Sequence, residues 1–157
     1  MSRSVKFVLT IGIVSLMWLM SGCLLGTTDY PTYQEVDQCP FEVNDKRSDP
    51  GKYFDPKRGE VDLEPPFHET IKNGVCNKVS SEKLQNAEFT IKSYQCEILD
   101  KKENVVKVRM QGTLKVNEKT IDIVTLDVSN TRGVGSVCEP LTAKVLEEMI
   151  EEIVTNI

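Results

Sequence analysis

The 157 residues amount to one domain once an apolar leader is set aside, and their formal charge of −5 argues against two classes of partner. Nucleic acids and anionic lipid headgroups are held by clustered Lys and Arg, and no such cluster occurs here. The single histidine, His68, has no matching serine or cysteine signature, so there is no catalytic triad to assemble around it, and it is expected to be exposed and solvated.

The chain begins MSRSVKFVLTIGIVSLMWLMSGC, which divides into three zones. Arg3 and Lys6 are its only charges and precede the apolar run, as in the basic region of a secretory signal. The run from Phe7 to Met20 has the length of a signal core and falls short of the roughly 20 residues of a spanning helix. Counting through Leu24 and Leu25, with Lys6 snorkelling, would allow the alternative of an uncleaved anchor. Ser21 and Gly22 make the backbone thin and flexible where a peptidase must hold it extended.

Met20-Ser21-Gly22-Cys23 resembles the lipobox of bacterial lipoproteins, in which an apolar residue and two small ones precede an invariant cysteine. The resemblance covers residues 1–23 only, and Met20 stands where Leu is most frequent in the family. It implies that residues 1–22 are a signal peptide, that diacylglycerol is joined to Cys23, and that acyl chains such as palmitate tie the protein to the bilayer. Two or three chains exceed the single-chain limit below which anchoring is marginal. Leu24 is compatible with sorting to the outer membrane in Gram-negative bacteria of the enteric type, where Asp in that position favours inner-membrane retention. Loss of Arg3 and Lys6 with the leader takes the formal charge from −5 to −7.

With Cys23 assigned to lipid, Cys39, Cys76, Cys96 and Cys138 remain. In an exported domain four thiols most simply form two disulfides, and sequence permits three connectivities. Cys39 with Cys76 and Cys96 with Cys138 is the preferred pairing, closing one loop in each half of the domain. A zinc site lacks support, because no C-x-x-C occurs and His68 is eight residues from the nearest cysteine.

Residues 23–38 carry turn formers without periodicity and read as a flexible tether, followed by one small domain over 39–157. From Cys39 to Cys76, Asp49-Pro50-Gly51, Pro65-Pro66 and Asn73-Gly74 are turn and extended-chain signals. They predict a loop-rich half attached to the core by Phe41, Tyr53, Phe54 and Phe67. SEKLQN, residues 81–86, is read as a short helix.

From Glu88 the period becomes two. Val106, Val108, Met110, Leu114 and Val116 share one face of a strand, and Lys107, Arg109, Gln111, Thr113 and Lys115 the other. Gly112 interrupts the apolar face at a bend, a bulge or a close contact. On the preceding strand the apolar set shifts from Phe89 and Ile91 to Tyr94, Cys96 and Ile98, which suggests a bulge or burial on both sides. The following strand shifts likewise, from Ile121 and Ile123 to Val124, Leu126 and Val128. The short connections at 100–104 and 117–119 predict an antiparallel three-stranded meander.

The segment EPLTAKVLEEMIEEIVTNI is an amphipathic helix, with Leu141, Val145, Leu146, Met149, Ile150, Ile153, Val154 and Ile157 on one stripe and Thr142 among the opposite polar residues. Packing on the meander is the expectation, and a partner helix for an oligomer the alternative.

The whole is an α+β domain with a disulfide-stapled N-terminal half. No cofactor or metal is indicated: Gly133 and Gly135 lack a phosphate-loop lysine, and the acidic groups near Asp55, Glu60, Asp62 and Glu64 do not follow a calcium-loop pattern. The function expected is that of a membrane-anchored envelope lipoprotein with a non-catalytic structural or protein-interaction role, its partners the bilayer through acylated Cys23 and another envelope protein. The alternative is a surface or periplasmic binder or inhibitor of a host or hydrolase protein. An enzyme with an unrecognised carboxylate pair is a distant third.

Overall fold

A computed structural model describes residues 30–131 and 137–157. Its elements, in order, are β1 (Glu42–Asp45), β2 (Lys52–Asp55), β3 (Gly59–Asp62), α1 (Phe67–Lys78), α2 (Ser81–Leu84), β4 (Ala87–Asp100), β5 (Val105–Val116), β6 (Lys119–Asn130) and α3 (Glu139–Asn156). The fold is α+β: β4, β5 and β6 form the expected antiparallel meander, and β1 adds a parallel strand beside β4 to give the order β1-β4-β5-β6. The pair β2-β3 is a separate antiparallel hairpin.

β5 shows why the meander forms. Its side chains alternate strictly, so Val106, Val108, Met110 and Leu114 are buried while Lys107, Arg109, Gln111 and Thr113 reach the outer face. α3 lies on the buried face, against β5 and β6, and crosses α1. It buries Leu141, Val145, Leu146, Met149, Ile150 and Ile153, the stripe its period predicts. Thr142, expected on the polar side, is fully buried instead. Its hydroxyl donates to the Cys138 carbonyl (2.7 Å) and accepts from Tyr94 Oη at 2.6 Å, which satisfies both groups inside the core.

The segment from Cys39 to Cys76 is more regular than its composition suggests, since it holds three short strands and most of a twelve-residue helix. α1 starts directly after Pro65-Pro66, and the Pro66 carbonyl accepts from Glu69 N and Thr70 N. Phe67, Thr70, Ile71, Gly74 and Val75 form its buried face, a helical i, i+3, i+4, i+7, i+8 spacing. Gly74, read as a turn residue, sits inside the helix where α1 crosses α3: a Cβ there would stand 2.5 Å from Ile150 Cδ1. The helix–helix contact therefore outweighs the roughly 1 kcal/mol that glycine costs in a helix interior. Of the four aromatic attachments expected, Phe41, Tyr53 and Phe67 are buried, whereas Phe54 is 63% exposed. Strand alternation in β2 explains this, because Tyr53 and Asp55 turn inward and Phe54 must turn out. Within the residues expected to form a tether, Tyr30 and Tyr33 are half-buried against the core.

The change of phase in β4 is a bulge, with the register to β5 shifting between Ile91 and Ser93. Gly112 faces it and is a close contact: a Cβ would lie 2.1 Å from Phe89 Cζ and 2.8 Å from the Thr90 carbonyl oxygen. Gly112→Ala is expected to destabilise the domain by about 2 kcal/mol, the usual scale of overpacking, as a lower urea midpoint with unchanged slope. β6 differs from the expectation. It pairs with β5 without a shift from Lys119 opposite Val116 to Asn130 opposite Val105, so no bulge rotates it. Ile123 and Thr125 continue the buried face, and Val124, Leu126 and Val128 lie on the outer face, each nearly half exposed.

Candidate functional site

The four paired cysteines organise the site. Cys39–Cys76 joins the chain ahead of β1 to α1, with Cα atoms 6.1 Å apart, and Cys96–Cys138 joins β4 to the start of α3 at 6.0 Å. This is the preferred pairing of the three that sequence permits. Cys23 lies outside the described residues, as do Gly133 and Gly135.

The β2-β3 hairpin is fastened to this frame by Asp55, which the sequence offered only as one of the acidic groups without a calcium-loop pattern, and by Arg47, which it did not single out. Asp55 is fully buried and its Oδ1 accepts from the backbone N–H groups of Lys57 (2.8 Å) and Arg58 (3.1 Å). Its Oδ2 accepts from Val137 N (3.1 Å) and Cys138 N (3.3 Å), the residues that lead into α3. A carboxylate near the first turn of a helix also meets the positive end of the helix dipole. Arg47 holds the other side. Its guanidinium pairs with Asp45 at 2.6 Å and donates to the carbonyls of Pro50 (2.8 Å) and Lys52 (2.9 Å). It lies 4.5 Å above the Phe67 ring, so its charge is consumed in tying β1, the following turn and α1 together.

Between hairpin and sheet lies a cleft of about 370 Å³, lined by Asp49, Lys52, Phe54, Glu60, Lys92 and Gln95 among others. The bulge of β4 forms its floor. Its lysines are already paired: Lys52 with Glu60 at 3.4 Å, and Lys92 with Asp122 at 2.8 Å. The hydrogen bond from Lys92, together with one from Thr113, holds the exposed Asp122 carboxyl below its ordinary range. Phe54 borders both this cleft and a second hollow formed with Tyr94, Gln95, Cys96 and Glu97. Burial raises the Tyr94 phenol above its ordinary range, so it remains protonated as a hydrogen-bond donor. The geometry offers an aromatic projection above a paired-charge floor, which suits contact with a protein surface.

A wider groove of about 670 Å³ is lined by Glu35, Glu42, His68, Glu69 and Lys72 among others. His68 is less solvated than expected, because its Nδ1 is buried without a hydrogen-bond partner among the described residues. Its Nε2 is 3.9 Å from Glu69 Oε1. Among the described residues no three His, Cys, Asp or Glu side chains are grouped to hold a metal ion. No helix among them is long and apolar enough to cross a membrane.

The outer face of the sheet carries cross-strand ion pairs of Glu97 with Lys107 and Glu88 with Lys115, and beside them the apolar row of β6. Together these features define the class: a disulfide-bonded α+β domain with a mixed four-stranded sheet, helices on one face and an open outer face. No family model matches the chain, and no curated protein is significantly similar to it. A solved structure described as an uncharacterized protein aligns with it at 10% identity and a TM-score of 0.44, over 74% of this chain and 88% of that one.

Proposed function

We propose that the protein is a lipid-tethered component of a bacterial envelope whose domain acts without catalysis by holding another envelope protein. The observation that supports this most is Phe54, a large apolar side chain 63% exposed on a hairpin that Asp55 and Arg47 fasten to the core. Aromatic anchors of this kind dominate binding energy when a partner covers them, and a hairpin fixed beforehand loses little freedom on binding. The lipobox resemblance at Cys23 supplies the tether and the address, compatible with the outer membrane. The two disulfides suit an oxidising compartment.

The same projecting ring supports a second reading, an inhibitor or binder directed at a host or hydrolase protein, with Phe54 entering the partner's cleft. Protease shaving of intact cells separates the readings, since loss of the domain indicates surface display and protection indicates a periplasmic role. The tether is tested by intact mass of the protein from its native host. A chain beginning at Cys23 with added acyl groups, and four thiols labelled only after reduction, is the expected result. A full-length mass without acyl groups and with free thiols would refute the reading.

A further inference from the structure

β6 is twelve residues long and stands at the edge of the sheet, where β5 is its only neighbouring strand among the described residues. Two hydrogen bonds reveal which of its backbone groups face that edge. Thr131 N–H donates across the pair to the Asn104 carbonyl at 3.0 Å, whereas Val128 N–H turns away from β5 and donates to Asp127 Oδ1 at 3.0 Å. Backbone direction alternates along a strand, so the even-numbered residues from Thr120 to Asn130 present their N–H and C=O groups at the free edge. These residues also carry the outer-face side chains, with Val124, Leu126 and Val128 at the centre, 49%, 49% and 46% exposed.

Read at alternate positions from 122 to 130, the row is Asp, Val, Leu, Val, Asn, which is nearly symmetric about Leu126. We infer that β6 is a self-pairing edge: two copies of this chain join β6 to β6, antiparallel, about a two-fold axis at Leu126, extending the sheet across both. That register sets Leu126 opposite the partner's Leu126, Val124 opposite the partner's Val128, and Asp122 opposite the partner's Asn130. Every apolar side chain then meets another, and a carboxylate meets an amide donor. Moving the register by two residues would set Val128 against the partner's Asp122 and lose this match; moving it by one would present the wrong backbone groups.

The paired edges would form on the order of ten main-chain hydrogen bonds, as many as a whole specific interface typically carries. Lys107 and Arg109 do not oppose this, because the two β5 strands would be three strand spacings apart, about 14 Å, beyond the screening length in physiological salt. Long apolar edges are normally blunted by proline or charge. Here the blunting consists of Asp127, held by Lys144 at 3.0 Å, which swings off Val128 N–H when the strands meet.

The register is tested by single cysteines in the full chain in its own membranes. Residues directly opposite in such a pair have Cα atoms about 5.5 Å apart, within disulfide range, so Leu126→Cys should oxidise to a covalent dimer. Val124→Cys and Val128→Cys stand about 14 Å or more from their own counterparts, and should dimerise only when the two variants are mixed. About tenfold more dimer is expected for Leu126→Cys than for either of the others alone. Absence of the Leu126→Cys dimer, or equal dimer from Val124→Cys alone, would overturn the register. Sedimentation in detergent is a second measurement, with the unsubstituted chain expected as a dimer and Leu126→Lys as a monomer. An unsubstituted chain that is monomeric throughout would overturn self-pairing. The inference does not depend on the lipid tether: covalent dimer from the unsubstituted chain would report a free Cys23, which refutes the tether and leaves β6 untouched.

Discussion

Asp55→Ala should lower the melting temperature by about 12 °C, corresponding to a loss of about 3 kcal/mol in a domain of this size. The carboxylate is fully buried and, among the described residues, accepts from four backbone N–H groups, two in its own turn and two at residues 137 and 138. Alanine removes all four acceptor contacts and leaves donors without partners in a space that water does not easily enter. Asp55→Asn should cost less, but not nothing, because an amide offers one acceptor oxygen and turns an NH₂ group toward donors on its other side. Thermal melting followed by circular dichroism checks both. Coincident melting of Asp55→Ala and the unsubstituted protein would show that the hairpin is held by other contacts.

Removing the Cys96–Cys138 bridge should have an effect of the same order or larger. The bond spans 42 residues of sequence, for which loop-closure entropy in the unfolded chain gives about 4 kcal/mol. Replacement of both cysteines by alanine avoids a stray thiol and isolates that term. The loss should not be additive with that of Asp55→Ala, since Cys138 N–H is one of the four groups Asp55 accepts from. Once the bridge is gone, the start of α3 is free to move, and the Asp55 contact has less to hold. A double substitution that loses the full sum of the two single effects would mean the bridge and the carboxylate act independently. Intact stability in the bridge-free protein would mean that packing of α3 alone positions residue 138.

Much of the sheet was legible because local pattern and burial agree there. β5 alternates with one face entirely apolar, and α3 carries its stripe without interruption, so period alone identifies both. The β4 bulge could be read from the shift between Ile91 and Tyr94. An identical shift in β6 meant something else: the apolar residues crossed to the open face while the strand ran straight. Period cannot distinguish these, because it reports which side a residue is on and not what lies beyond that side. α1 was missed since Pro65-Pro66 and Asn73-Gly74 are local turn signals, and the contact with Ile150 that makes Gly74 useful is distant in sequence. The fastening role of Asp55 is hidden for a similar reason: its partner N–H at Val137 is 82 residues away. Phe54 and Tyr53 are adjacent aromatic residues, and only the direction of β2 assigns one to the core and the other to solvent.

The two disulfides close separate rings, residues 39–76 and 96–138, that share no residue and do not interlock along the sequence. A backbone cut inside either ring, for example in the turn 56–58 or the turn 101–104, leaves a single covalent molecule heavier by one water. Only a cut in the segment 77–95 or outside the rings releases a fragment. A protease can therefore nick the turns 56–58 and 101–104 while the domain still migrates whole, and the two ends of a ring cut once separate only when its bridge has been reduced.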